Sequence, residues 1–240
     1  MDTNIGAKER VTQNRLIGLF KNVLKYTYLG NWETREDNAN IEEKLLTAYL
    51  SRRGYTDKEI RSSIVKLKQS ANSLGGGLYN ANKEVYTFLR YGVNIQAEVT
   101  EKKKMVHLID WANPMENDFQ IAEEVTIQGA SDRRPDLVVY VNGIALAVIE
   151  LKRSTVSAHE GIRQNIRNQQ DGYIPRFFTT IQLLFAGNDT EGLHYGVIKL
   201  PKNSGCVGKN RVASHASHRI LQQRSIPMSW IVVCCSSLSL

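Results

Sequence analysis

The sequence predicts a mixed α/β (α+β) domain, with a central mixed sheet flanked by helices and a helical part at its N-terminal end. Three observations carry this. Up to about residue 92, apolar residues recur at helical spacing. After Gly92 the texture changes to short runs rich in β-branched residues. Between two of those runs stands Asn142-Gly143, the dipeptide that best tolerates the positive φ of a type I′ hairpin turn.

The first helix is expected from about Lys8 to Tyr28, on the spacing of Val11, Leu16, Ile17, Leu19, Phe20, Val23 and Leu24. A second runs from Ile41 to Arg53, with Asn38 or Asn40 near its N-cap, early Glu42 and Glu43, and Gly54 beyond its end. Helical patterns over Thr56–Ser70 and about Asn82–Arg90 follow, separated by the glycines at 75 to 77. Strands are expected over Asn94–Thr100, Lys104–Ile109, Phe119–Ile127, Leu137–Val141, Ile144–Leu151 and Ile181–Phe185, and a helix over about Ser157–Gln170. Most of the sheet reads as antiparallel. The runs joined by Asn142-Gly143 are apolar on both faces, so this hairpin belongs in the middle of the sheet with layers on each side.

Composition narrows the function classes. The chain has 240 residues, 31 Lys and Arg against 24 Asp and Glu, and a net charge of +7. That excess would point to a polyanion such as nucleic acid, but its distribution removes the argument. From Gly192 onward there is no acid, and Lys199, Lys202, Lys209, Arg211, Arg219 and Arg224 are all basic, which leaves the first 191 residues with a net charge of +1. The three cysteines, Cys206, Cys234 and Cys235, lie in that same segment, so a disulfide framework or four-cysteine metal site in the main body is excluded. No secretory signal pattern opens the chain and no apolar run approaches the roughly 20 residues of a membrane span, so a cytoplasmic protein without membrane contact is expected.

The chemistry-bearing residues sit at the outer ends of the hairpin, as Pro135-Asp136 on one side and Glu150-Leu151-Lys152 on the other. Two carboxylates converging on one point repel each other, and a hard divalent cation relieves that repulsion through oxygen ligation. Asp136 and Glu150, with the Leu151 backbone carbonyl as a further ligand, would hold Mg²⁺. Lys152, two residues from Glu150 and on the same strand face, would orient or deprotonate the attacking water in phosphodiester hydrolysis. The competing reading is plain: Asp136 caps a turn after Arg133-Arg134-Pro135, and Glu150 and Lys152 mark a strand end reaching solvent. Register adds a difficulty. An ideal two-residue turn pairs 141 with 144, hence 136 with 149, which would put Asp136 and Glu150 on opposite faces. Either a bulge shifts one strand by a residue, or Asp136 lies at a bent start of its strand, as Pro135 favours.

The run from Arg134 to Lys152 closely resembles the PD-(D/E)xK motif in the N-terminal nuclease domain of the restriction (R) subunit of type I restriction-modification enzymes. The resemblance extends through Thr12-Gln13, Tyr28-Leu-Gly-Asn-Trp32, Asn40-Ile-Glu-Glu43, Gln164-Asn-Ile-Arg-Asn168, Phe177-Phe-Thr-Thr180 and Ala186-Gly-Asn-Asp-Thr190, about four fifths of the chain. It implies a restriction-endonuclease-like core and a Mg²⁺-dependent endonuclease that cuts duplex DNA within an assembly with modification and specificity subunits. ATP is implied only for motor domains that follow in the same polypeptide. No G-x-x-x-x-G-K-[ST] loop occurs here, although Gly208-Lys209-Asn210 is superficially similar. The resemblance also implies a metal-side glutamate on an N-terminal helix, for which Glu9 is the candidate and Glu42 the second. Gln164 matches the Gln of a Gln-x3-Tyr element, with Asn168 where the Tyr would stand, which makes a DNA-positioning role for Gln164 an open question.

Arg133, Arg134, Arg153, Arg163 and Arg167 lie near the motif and either contact DNA phosphates or are ordinary solvated charge. His107 and His159 show no metal-ligand spacing and read as structural; His215 and His218 are too few for a zinc site. The expected organisation is a helical N-terminal part over 1–92, a nuclease core over 93–200 and an atypical basic tail over 201–240, whose composition suggests a shifted reading frame or a truncated gene. Two alternatives stay open: a catalytically silent DNA-binding or subunit-docking module of the same fold, and a stand-alone nuclease acting on DNA ends or junctions.

Overall fold

The computed structural model describes residues 5–96 and 103–198. The tail over 201–240, with His215 and His218, and the end of the Asn94–Thr100 run lie outside the described residues. Five helices, α1 (Ile5–Gly18), α2 (Glu43–Arg52), α3 (Asp57–Asn72), α4 (Leu78–Tyr91) and α5 (Ala158–Asn168), surround eight strands. These are β1 (Thr27–Asn31), β2 (Val93–Ile95), β3 (Lys104–Val106), β4 (Phe119–Glu123), β5 (Leu137–Val141), β6 (Ile144–Leu151), β7 (Leu183–Asn188) and β8 (Gly192–Gly196). Six strands form one mixed sheet in the order β1-β4-β5-β6-β7-β8, and β2 pairs with β3 separately. The β1–β4 and β6–β7 pairs are parallel; the other pairs in the large sheet are antiparallel.

The hairpin occupies the two central positions, as the two-sided apolar pattern of β5 and β6 requires. One face of the sheet, through Leu137, Val139, Ala147 and Ile149, packs on Leu16, Ile17 and Phe20 of the N-terminal segment. The other, through Val138, Tyr140, Ala145 and Val148, packs on Trp32, Ile174, Phe177, Phe178 and Ile181. A third core joins α2, α3 and α4 to β2, β3 and Ile144 at the turn end of the hairpin.

Three expectations are corrected. The first helix does not reach Tyr28: a π-helical turn over Leu19–Val23 ends it, Lys25 adopts φ 60°, and Thr27–Asn31 becomes β1, so the first 92 residues contribute a strand to the sheet. Asn38 and Asn40 do not cap α2. Glu42 holds the N-cap position, while Asn38 donates to the carbonyls of Trp32 and Thr126, and Asn40 to the Arg176 carbonyl and Thr179 Oγ1. The sheet also gains β8, an edge strand with no β-branched run to announce it. By contrast, α3 opens on a full capping box, Thr56 with Glu59.

Candidate active site

The register of the hairpin decides whether a site exists. Val141 pairs with Ile144 and Tyr140 with Ala145, as the Asn-Gly turn dictates, with Asn142 at φ 53° and Gly143 at φ 79°. Then the pairing shifts: Val139 faces Ala147 and Leu137 faces Ile149. The extra residue is Leu146, and its effect is visible in packing, since Ala145 and Val148, three apart, face the same layer. Extended one step, the shifted register sets Asp136 opposite Glu150, on one face. Of the two solutions open to the sequence, the bulge operates, and Asp136 also lies in a bend just before β5.

Glu150 is fully buried. Its Oε2 accepts a hydrogen bond of 2.7 Å from Gln164 Nε2 on α5, and its Oε1 has no partner among the described residues. Gly161, one turn earlier on α5, lets the helix approach: a Cβ there would stand 3.0 Å from Ala186 Cβ and 3.5 Å from Glu150 Cβ. Asp136 keeps a partial opening to solvent, and its Oδ2 accepts the Leu151 N–H at 2.6 Å. Burial, then the neighbouring Asp136 charge, raises the pKa of Glu150 well above the ordinary carboxylate value. Burial also lifts Asp136 from 3.8 to about 6, against the lowering effect of the Leu151 N–H and the Lys152 charge. Lys152 follows the end of β6, half-buried, where its backbone N–H donates to the Gly187 carbonyl at 2.8 Å.

Glu9 and Glu124 lie within electrostatic reach of both carboxylates and add repulsion felt by each. Glu42 sits against the Gly143 turn at the opposite end of the hairpin, paired with Arg35. Among the described residues, no three His, Cys, Asp or Glu side chains converge into a ready-made metal cage. A carboxylate pair with one orphaned buried oxygen nevertheless fits a hard cation of the Mg²⁺ type, which takes one or two carboxylates and keeps several waters.

The arginines divide. Arg134 is engaged by Glu33 and Glu124, and Arg163 by Glu160. Arg133 lies over the Tyr173 ring at 4.2 Å. Arg153 and the exposed Arg167 have no acidic side-chain partner among the described residues. His107 and His159 are exposed; His159 contacts Ser157 Oγ and stands 6.2 Å from the His194 ring.

The sequence reading passed over Glu123 and Glu124. Glu123 is buried at the end of β4 and accepts hydrogen bonds from Arg10, Gln13 and the Tyr28 hydroxyl. Burial and this contact push the Tyr28 pKa up to about 12. Phe119-Gln-Ile-Ala-Glu-Glu124 is an apolar run ending abruptly in charge, the same signal that drew attention to Glu150.

A central mixed sheet flanked by helices, with Asp136 and Glu-x-Lys brought to one face at the end of its middle hairpin, defines a PD-(D/E)xK, restriction-endonuclease-like domain. Comparison with known proteins makes this specific. The chain belongs to the family of the type I restriction enzyme R protein N terminus, whose profile matches residues 6–203. It is 26% identical over 201 residues to a protein of Methanocaldococcus jannaschii assigned as the type I restriction enzyme MjaIXP endonuclease subunit, covering 77% of this chain and 19% of that one. A second protein of that organism, assigned as the MjaVIIP endonuclease subunit, is 33% identical over 40% of this chain and 9% of its own length. The SsaAORF53P endonuclease subunit of Staphylococcus saprophyticus is 30% identical over 37% and 9%. The chain therefore spans no more than about a fifth of the length of these curated relatives. No helix among the described residues is long and apolar enough to cross a membrane.

Proposed function

We propose that this chain is a Mg²⁺-dependent nuclease domain that hydrolyses phosphodiester bonds of duplex DNA within a type I restriction assembly. The single observation that carries the reading is the fully buried Glu150, set opposite Asp136 by the Leu146 bulge, with one oxygen unpartnered. Two buried carboxylates in this relation are costly without a compensating positive charge. Asp136, Glu150 and the Leu151 carbonyl are the residues that would hold Mg²⁺, with Glu9 beside them. Bound there, the ion supplies an acidified water and charge stabilisation at the phosphorus.

The chain's own groups do the rest. Gln164 fixes the rotamer of Glu150 through its 2.7 Å hydrogen bond and so connects α5 to the site. Lys152 favours the ionised form of both carboxylates through its positive charge, and as a donor it would orient the attacking water. Arg153 and Arg167, free of acidic partners among the described residues, contact phosphates and give affinity without sequence information. Arg134 and Arg163 can do so only by releasing Glu124, Glu33 and Glu160. Sequence choice belongs to the specificity subunit, methylation to the modification subunit, and ATP to motor domains.

The test is nicking of supercoiled plasmid by the chain, alone and assembled with modification and specificity subunits and a motor supplied with ATP. Cleavage that needs Mg²⁺ and is lost in Lys152→Ala is expected. DNA binding without cleavage in either setting refutes the reading and leaves a silent DNA-binding or docking module.

A further inference from the structure

Gln13 lies on α1 four residues after Glu9, so the two project from one side of the helix. It is only 3% exposed, and a buried amide needs partners. Those it has form one wall of the site: Nε2 lies 3.0 Å from Glu123 Oε2, 3.1 Å from Glu124 Oε1 and 3.5 Å from the Asp136 carbonyl. The same carbonyl accepts the Glu124 N–H at 2.9 Å, and Glu124 is held at φ 51°, a left-handed conformation rare for a side chain of its type. Arg10 on the same helix also pairs with Glu123 and Glu124, and a separate strap, Arg15 to Asp189, runs to the segment after β7 and is largely exposed.

We infer that Gln13 is a positioning residue: it locks α1, the helix that carries Glu9, to Glu123, Glu124 and the backbone of Asp136 at the start of β5. This rests on the nuclease reading and deepens it. The residue type follows from the surroundings. A glutamate at 13 would face Glu123 and Glu124 with a third like charge. An asparagine, one methylene shorter, would not reach Glu123, Glu124 and the Asp136 carbonyl together. Gln13 touches neither the reacting phosphate nor the attacking water; it acts through Asp136 and Glu9.

The experiment is calorimetric titration of the 240-residue chain with Mn²⁺, a probe that reports the site without turnover. Gln13→Ala should weaken Mn²⁺ binding about 10- to 100-fold, the usual effect of removing a hydrogen bond that orients a metal ligand. Arg15→Ala, which cuts only the exposed strap, should stay within about twofold. If Gln13 acts through Glu9, the double variant with Glu9→Gln should lose less than the two separate losses combined. Gln13→Met keeps the volume without the amide and carries the test if Gln13→Ala does not fold. Wild-type Mn²⁺ affinity in a folded Gln13 variant, or fully additive losses in the double variant, overturns the inference alone. Absence of Mn²⁺ binding by the wild-type chain is a different result, which removes the metal-dependent reading and this inference with it.

Discussion

Raising the pH from 4 to 7 without divalent cations should destabilise the protein through Asp136. Its carboxyl titrates near 3.8 when freely solvated and at about 6 in the fold, because burial penalises the charged form. Well below pH 3.8 it is protonated in both folded and unfolded chains. Between that value and about 6 the unfolded chain has released the proton while the folded one largely retains it, so the folded state loses ground, and well above 6 the loss is complete. The change in pKa corresponds to about 3 kcal/mol, an upper value because Asp136 keeps an opening to solvent. Urea unfolding in EDTA at pH 4, 5, 6 and 7 measures it, with Asp136→Asn as reference so that other titrating groups cancel to first order. The wild type should lose up to about 2.4 kcal/mol relative to the variant across that range, since part of the loss already lies below pH 4. Glu150, raised in the same direction, should leave the variant a residual slope of the same sign. At pH 7, Mg²⁺ at a hundred times its Kd should restore about 2.7 kcal/mol to the wild type. A difference between wild type and Asp136→Asn that stays constant from pH 4 to 7 would refute the reasoning.

Two substitutions test the scaffold. Gly143→Ala places a Cβ 2.7 Å from Leu45 Cβ and 2.8 Å from the Glu42 carbonyl at a φ of 79°, so it should cost about 2–4 kcal/mol and lower the Tm by several degrees. Because this turn is remote from Asp136 and Glu150, cleavage per folded molecule should be unchanged, and a large loss of activity at full folding would contradict the layout. Gly161→Ala gains about 1 kcal/mol of helix propensity but sets a Cβ 3.0 Å from Ala186 Cβ, the neighbour of Glu150 across the sheet, which costs about 1–3 kcal/mol. Thermal melting should move little while plasmid nicking falls; full activity would show that α5 does not control Glu150.

Much of this architecture was legible because its signals are local. The Asn142-Gly143 turn and the two-sided apolar runs that place β5 and β6 centrally each depend on a few adjacent residues. The site was legible as an alternative: the sequence posed the register conflict between Asp136 and Glu150 but could not choose between a bulge and a bent strand start. That choice depends on how the strand packs on layers from distant segments, here with Ala145 and Val148 facing one core while Leu146 packs against another. β1 was hidden because Leu24 and Tyr28 continue the helical spacing of α1, which is broken by the π-helical turn over Leu19–Val23 and the Lys25 conformation. β8 was hidden because an edge strand needs no continuous apolar run. Glu123 was missed because a carboxylate that serves as a buried hub has the same sequence appearance as a solvated strand end. Its partners, Arg10, Gln13 and Tyr28, lie about a hundred residues away.

The central claim is that a one-residue bulge brings Asp136 and Glu150 into one divalent-cation site. Crystals of the chain grown with Mn²⁺ and measured for anomalous scattering address it directly. A peak in contact with Asp136 and Glu150, adjoining the Leu151 carbonyl and absent from Glu150→Gln crystals, is the predicted result. No peak at this position, or carboxylates turned apart with the ion bound elsewhere, would contradict it.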